Sequence, residues 1–128
     1  MSNAEFVRGT WDAIADGDLD VLESVLTPDA RWLAVEDGAW NCENREMILA
    51  AMRHNVEGGL PGTIEEVLDV GPERVLVGFR PDHHGPTAWP LDEGVRYLVL
   101  SLRGERVSEI KGCATRVAAV AYAEGEGP

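Results

Sequence analysis

The chain is 128 residues long and 45% apolar, and its 23 acidic side chains outweigh 11 basic ones for a formal net charge of −12. That length suits one domain with its own core, and apolar residues are too frequent for a disordered chain. So acidic a surface repels phosphate backbones and anionic lipid, which sets nucleic acid and membranes aside as partners and leaves neutral or cationic small molecules.

No apolar run nears the roughly 20 residues of a bilayer span. MSNAEFVRG lacks the basic start and apolar core of a secretion signal, so the expected location is cytoplasmic. Cys42 and Cys113 do not form a disulfide framework or zinc pattern and are expected as reduced thiols.

Phe6, Val7, Thr10, Trp11, Ile14 and Ala15 recur at helical spacing, and Gly17 supplies a stop, predicting a first helix. Asp18 is placed to cap a second, whose stripe of Leu19, Leu22, Val25 and Leu26 ends before Pro28. Residues 30–35, ARWLAV, read as the first strand. In the following VEDGAWNCENREMI, Asn44 reads as an N-cap and Glu46 as a first-turn acid. Ile48, Ala51 and Met52 then give a third helix its apolar face, and Gly58, Gly59, Pro61 and Gly62 break it.

TIEEVLDV and VLVGFR form a hairpin across Gly71-Pro72-Glu73-Arg74, and VRYLVLSL and RVSEIKG form another across Arg103-Gly104-Glu105. Between the hairpins lies RPDHHGPTAWPLDEG, residues 80–94, a polar connection as long as functional or mobile loops are. TRVAAVAYA suits either a last helix or a strand extension, and EGEGP, residues 124–128, should fray. The order predicts a single α+β domain over residues 1–128, with helices on one face of a curved, mostly antiparallel sheet.

The stretches IADGDLDVLESVLTPDARWLAV and GERVSEI, in that order, resemble the nuclear transport factor 2-like superfamily and its SnoaL-like branch. The resemblance covers nearly the whole chain. It implies a cone of sheet with about three helices from the N-terminal half enclosing a pocket, commonly in a homodimer. Members of that group include ketosteroid isomerases, polyketide cyclases, epoxide hydrolases and binding proteins without catalysis. The isomerases use a carboxylate base on the first strand, a tyrosine of the first helix and a protonated aspartate on a later strand. Those positions hold Ala34, Thr10 and Arg96 or Tyr97, so the ordinary isomerase set is missing. Asp37, Asp69, Asp92, Arg80, Arg96 and Arg116 supply the types of an aspartate-arginine-aspartate hydrolase, but no spacing brings them together.

Strand alternation puts Trp32, Ala34 and Glu36 on one face, which by the resemblance looks into the cone. The ligand-binding candidates are Trp11, Trp32, Glu36, Trp40 and Tyr97. Trp32 reads as a pocket wall or as a core residue. Trp40 and Trp89 read as covers of a pocket mouth, a dimer seam or the core edge. Glu36 and Asp37 at the strand end are either solvated turn acids or a base whose pKa is raised by desolvation.

On the last strand Val107, Glu109, Lys111 and Cys113 share a face by alternation. Glu109 and Lys111 there form either an exposed ion pair or a polar centre in the pocket. His54 is a helix-end residue or an acid-base group. The catalytic candidates are thus Asp37, His54, Glu109 and Lys111. Adjacent His83 and His84 point apart in extended chain, and no glycine loop of the phosphate-binding kind is present, so neither a metal nor a cofactor is expected.

Two readings remain: a small, largely apolar molecule bound in the cone, with or without cofactor-free isomerase, cyclase or hydrolase chemistry, and a non-catalytic dimerisation or interaction domain with a filled cone.

Overall fold

The computed structural model describes residues 2–16, 18–33, 41–57, 62–81 and 94–125. The elements run α1 (Asn3–Ala15), α2 (Leu19–Val25), β1 (Leu26–Leu33), α3 (Arg45–Glu57), β2 (Gly62–Val70), β3 (Arg74–Pro81), β4 (Arg96–Arg103), β5 (Arg106–Cys113) and α4 (Arg116–Ala123).

The opening helix is tied to the first hairpin at its start, where the Ala4 N–H donates to Asp69 Oδ1 at 2.9 Å and Asn3 Nδ2 to the Pro72 carbonyl at 3.0 Å. Asp18 does not cap α2 with its side chain; its backbone N–H instead donates to the Ala13 carbonyl at 2.9 Å, which joins the two helices directly. The Asn44 cap is present. Its Oδ1 accepts from the Met47 N–H at 2.9 Å and its carbonyl from Ile48 at 3.2 Å, satisfying donors that the first turn of α3 leaves open.

β1 starts four residues before the expected Ala30 and takes Pro28 into the strand. Its register against β5 is irregular between Leu26 and Arg31, and there a residue without an N–H costs the ladder nothing. Residues 34 and 35, the expected end of that strand, lie outside the described residues.

The sheet is open, in the order β1-β5-β4-β3-β2. Among the described residues only the β1–β5 pair is parallel, and both expected hairpins are present as the antiparallel pairs β2–β3 and β4–β5. In the second hairpin Gly104 sits at φ 66° and closes a turn that other residues enter only with strain.

The core divides by sheet face. On one side Val7 of α1, Leu22 and Val25 of α2, and Ile48 and Met52 of α3 pack with Val75, Val77, Phe79, Leu98 and Ile110. On the other, Ala119 and Ala123 of α4 pack with Leu76, Val99 and Cys113. The tail therefore forms a helix, started by Thr115, whose side chain accepts from the Ala118 N–H at 3.0 Å. It lies on the face opposite the first three helices, where its small alanines allow close approach to the strands.

Strict alternation fails in β5. Ser101 pairs with Glu109 and Leu102 with Val107, leaving Ser108 as an extra residue. The bulge turns Val107 to the helix-facing side with Ile110, away from Glu109 and Lys111.

Candidate functional site

Alternation along β3 and β4 aims Val77, Leu98 and Leu100 at the first three helices, and the bulge adds Val107 beside Ile110. Phe6, Thr10 and Trp11 of α1 face them across a cavity of about 50 Å³. That space exceeds the roughly 10–15 Å³ that one water needs, and is far below the roughly 300–1,000 Å³ of drug-sized pockets.

The wall is almost wholly apolar. Thr10 Oγ1 spends its proton on the Phe6 carbonyl at 3.0 Å, an ordinary bond one turn back along the helix. Trp11 Nε1 is buried and meets no acceptor among the described residues. Its ring leans on Phe79 with centroids 4.6 Å apart and planes at 46°. Trp11 is thus a wall residue of the chamber whose N–H has no acceptor among the described residues. An N–H buried without a partner costs about 1–3 kcal/mol.

Of the ligand-binding candidates, Trp11 and Trp32 line this chamber. Trp32 is held by reciprocal backbone bonds to Cys42, 2.9 and 2.8 Å, which bring the start of the α3 segment alongside β1. Tyr97 lies elsewhere. It packs with the cluster under α4, and a Cβ built on Gly78 would stand 2.9 Å from its ring. Tyr97 is the immediate neighbour of Leu98 on β4, and that single step changes the face. Glu36, Asp37 and Trp40 lie outside the described residues, as do Trp89, His83 and His84; His54 is in the last turns of α3, with its side chain outside them.

Glu109 and Lys111 are also on the α4 side. Glu109 accepts the Tyr122 hydroxyl at 2.5 Å, and burial first, then this bond, pushes Tyr122 up to about 12. Arg74 donates to the Tyr122 carbonyl and stacks 5.0 Å over its ring, and Arg116 holds both carboxylate oxygens of Glu66 at 2.9 and 2.7 Å. These groups fasten the last helix to the sheet. Cys113 lies beneath α4, where burial pushes its thiol up, partly opposed by Lys111; burial raises the Cys42 thiol too, so both are poor nucleophiles.

Arg96 escaped selection as a site residue. It is 6% exposed, and burial pulls its guanidinium below the ordinary value. The signal was present in the i, i+2 spacing of Arg96, Leu98 and Leu100, which gives all three one sheet face. Among the described residues no group of three or more histidines, cysteines or acids could hold a metal, and no helix is long and apolar enough to cross a membrane.

Comparison with solved structures places this architecture. A provisionally named SnoaL-like polyketide cyclase from Jannaschia sp. CCS1 is 25% identical, with a TM-score of 0.68 over 98% of this chain and 93% of that one. An uncharacterised cystatin-fold protein from Novosphingobium aromaticivorans is 20% identical, with a TM-score of 0.68 over 88% and 97%. A protein of unknown function from Cytophaga hutchinsonii, named as nuclear transport factor 2-like, is 10% identical, with a TM-score of 0.67 over 88% and 89%. No protein-family model matches the sequence, and no curated protein is significantly similar to it. The fold is the α+β nuclear transport factor 2-like cone, and the chain is similar to SnoaL-like structures.

Proposed function

We propose that the protein binds a small, largely apolar molecule carrying a hydrogen-bond acceptor in the chamber between α1, α2, α3 and the sheet. The observation that carries this reading is the apolar chamber lined by Trp11 and Trp32, beside which the buried Trp11 Nε1–H meets no acceptor among the described residues. A few heavy atoms are the size that about 50 Å³ accepts without rearrangement. No described residue of the lining is an acid, a base or a nucleophile, so binding rather than turnover is the function the chamber supports. Trp32 is its flat wall and Trp11 its polar contact.

The small volume also favours a second reading, a non-catalytic interaction domain whose cone is filled by its own side chains. A thermal-shift series separates them. Butanone and cyclopentanone should raise the melting temperature more than cyclopentane does, and Trp11→Phe should remove the advantage of the ketones. No shift with either kind of molecule would leave the filled-cone reading standing.

A homodimer in the cytoplasm belongs to the same proposal. Its support is the dimeric habit of the family resembled, together with Leu68 and Val117, exposed by 43% and 80%. Light scattering on the purified protein should return twice the chain mass; the mass of one chain would refute the dimer.

A further inference from the structure

We infer that α4 is a strap that opens on its own while the rest of the fold stays closed, and that this opening is what admits solvent to the Cys113 thiol. The inference is independent of the chamber, which lies on the other face of the sheet.

A helix of eight residues does not stand by itself, since isolated helices shorter than roughly 12–15 residues are marginal in water. What holds α4 is therefore its contact with the sheet, and that contact carries little apolar surface. Its buried residues are Ala119 and Ala123, which bring one methyl each, and Val117 is 80% exposed. By contrast, Val7, Leu22, Ile48 and Met52 anchor the first three helices to the opposite face with long apolar side chains.

Polar ties at the two ends of α4 supply the rest. Arg116 holds Glu66 of β2, but both side chains are partly exposed, and such pairs hold weakly. Tyr122 is the firmer end: its hydroxyl donates to Glu109 of β5, and its carbonyl accepts from Arg74 of β3. Arg74 and Glu109 are the register partners of Ser101 on β4, whose Oγ is buried and meets no partner among the described residues. The closed strap keeps that hydroxyl from water, a cost that opening removes. Cys113 lies with Leu76 and Val99 in the cluster that α4 covers. An element with few apolar contacts opens at a lower free energy than the whole fold, and here the thiol beneath it reports the opening.

The test follows N-ethylmaleimide labelling of Cys113 in the Cys42→Ala protein, at pH 8 and in urea well below the unfolding midpoint. The rate should be nearly independent of urea, because release of one short helix exposes little surface, whereas global unfolding responds steeply. Tyr122→Phe should speed labelling roughly tenfold, the scale of one hydrogen bond to a charged group. Ile48→Val, on the other face, should lower the urea midpoint and leave the labelling rate unchanged. Should the Tyr122 variant fail to fold, the urea dependence and Ile48→Val still decide. Labelling that climbs with urea as global unfolding does, and quickens in Ile48→Val, would overturn the strap. Fast labelling that ignores Tyr122→Phe would overturn it too, since the thiol would then be reached without α4 moving.

Discussion

Trp11→Phe removes a buried donor from the chamber wall and keeps an aromatic ring against Phe79, 4.6 Å away. Two effects oppose each other. The lost N–H relieves about 1–3 kcal/mol of unsatisfied burial. Against that, a fully buried indole covers up to roughly 100 Å² more than a phenyl ring. Trp11 is half-buried, so about half that area is lost, worth about 1 kcal/mol at roughly 25 cal/mol per Å². The ligand-free variant should thus lie between unchanged and about 2 kcal/mol more stable than the wild type, in urea unfolding followed by far-ultraviolet circular dichroism. Trp11→Ala, which loses the ring contact as well, should lose about 3 kcal/mol or more. A loss above about 2 kcal/mol in Trp11→Phe would mean that the indole N–H is already satisfied, and the reasoning that makes it a ligand contact would fail.

Gly78→Ala puts a Cβ 2.9 Å from Tyr97 Cε1 and 3.3 Å from Val95 Cγ1, so the variant should lose about 1–3 kcal/mol in urea, most of it recovered when Tyr97→Ala removes the ring. Asn44→Ala should lower the unfolding midpoint by the equivalent of about 1 kcal/mol with an unchanged slope, because it removes one cap bond from α3. Tyr122 is pushed up to about 12, above its ordinary value near 10, so the folded state holds this proton more tightly than the unfolded chain. Its contribution is therefore whole below about pH 10 and lost as the pH rises through about 12. A stability titration over that range should show the loss in the wild type and a smaller one in Tyr122→Phe.

Much of the fold was legible because local signals agreed with the tertiary arrangement. The stripes of α1 and α3 face the sheet, Asn44 caps where its side chain suits a cap, and Gly71 and Gly104 turn the two hairpins. One error came from period-2 counting. The extra residue Ser108 parts Val107 from Glu109, and no local sequence pattern marks where a bulge relieves the register. The early start of β1 was hidden by Pro28, which reads as a stop unless the irregular pairing beside it is known. The face of α4 was equally hidden, since small alanines suit a helix on either side of a sheet. For the site, Trp11 and Trp32 were chosen and line the chamber, while Tyr97, one step along β4, packs under α4. The sequence names Arg96 only as a hydrolase residue type and at the position of the isomerases' aspartate, and its burial is visible only in the structure.

The central claim is that the chamber admits a molecule whose acceptor meets Trp11 Nε1–H. The most direct measurement follows the indole N–H resonances of the four tryptophans by nitrogen-15 NMR, with the Trp11 signal assigned by its absence in Trp11→Phe. Titration with cyclopentanone should move that signal downfield, saturably. A Trp11 resonance that stays fixed throughout the titration would contradict the claim.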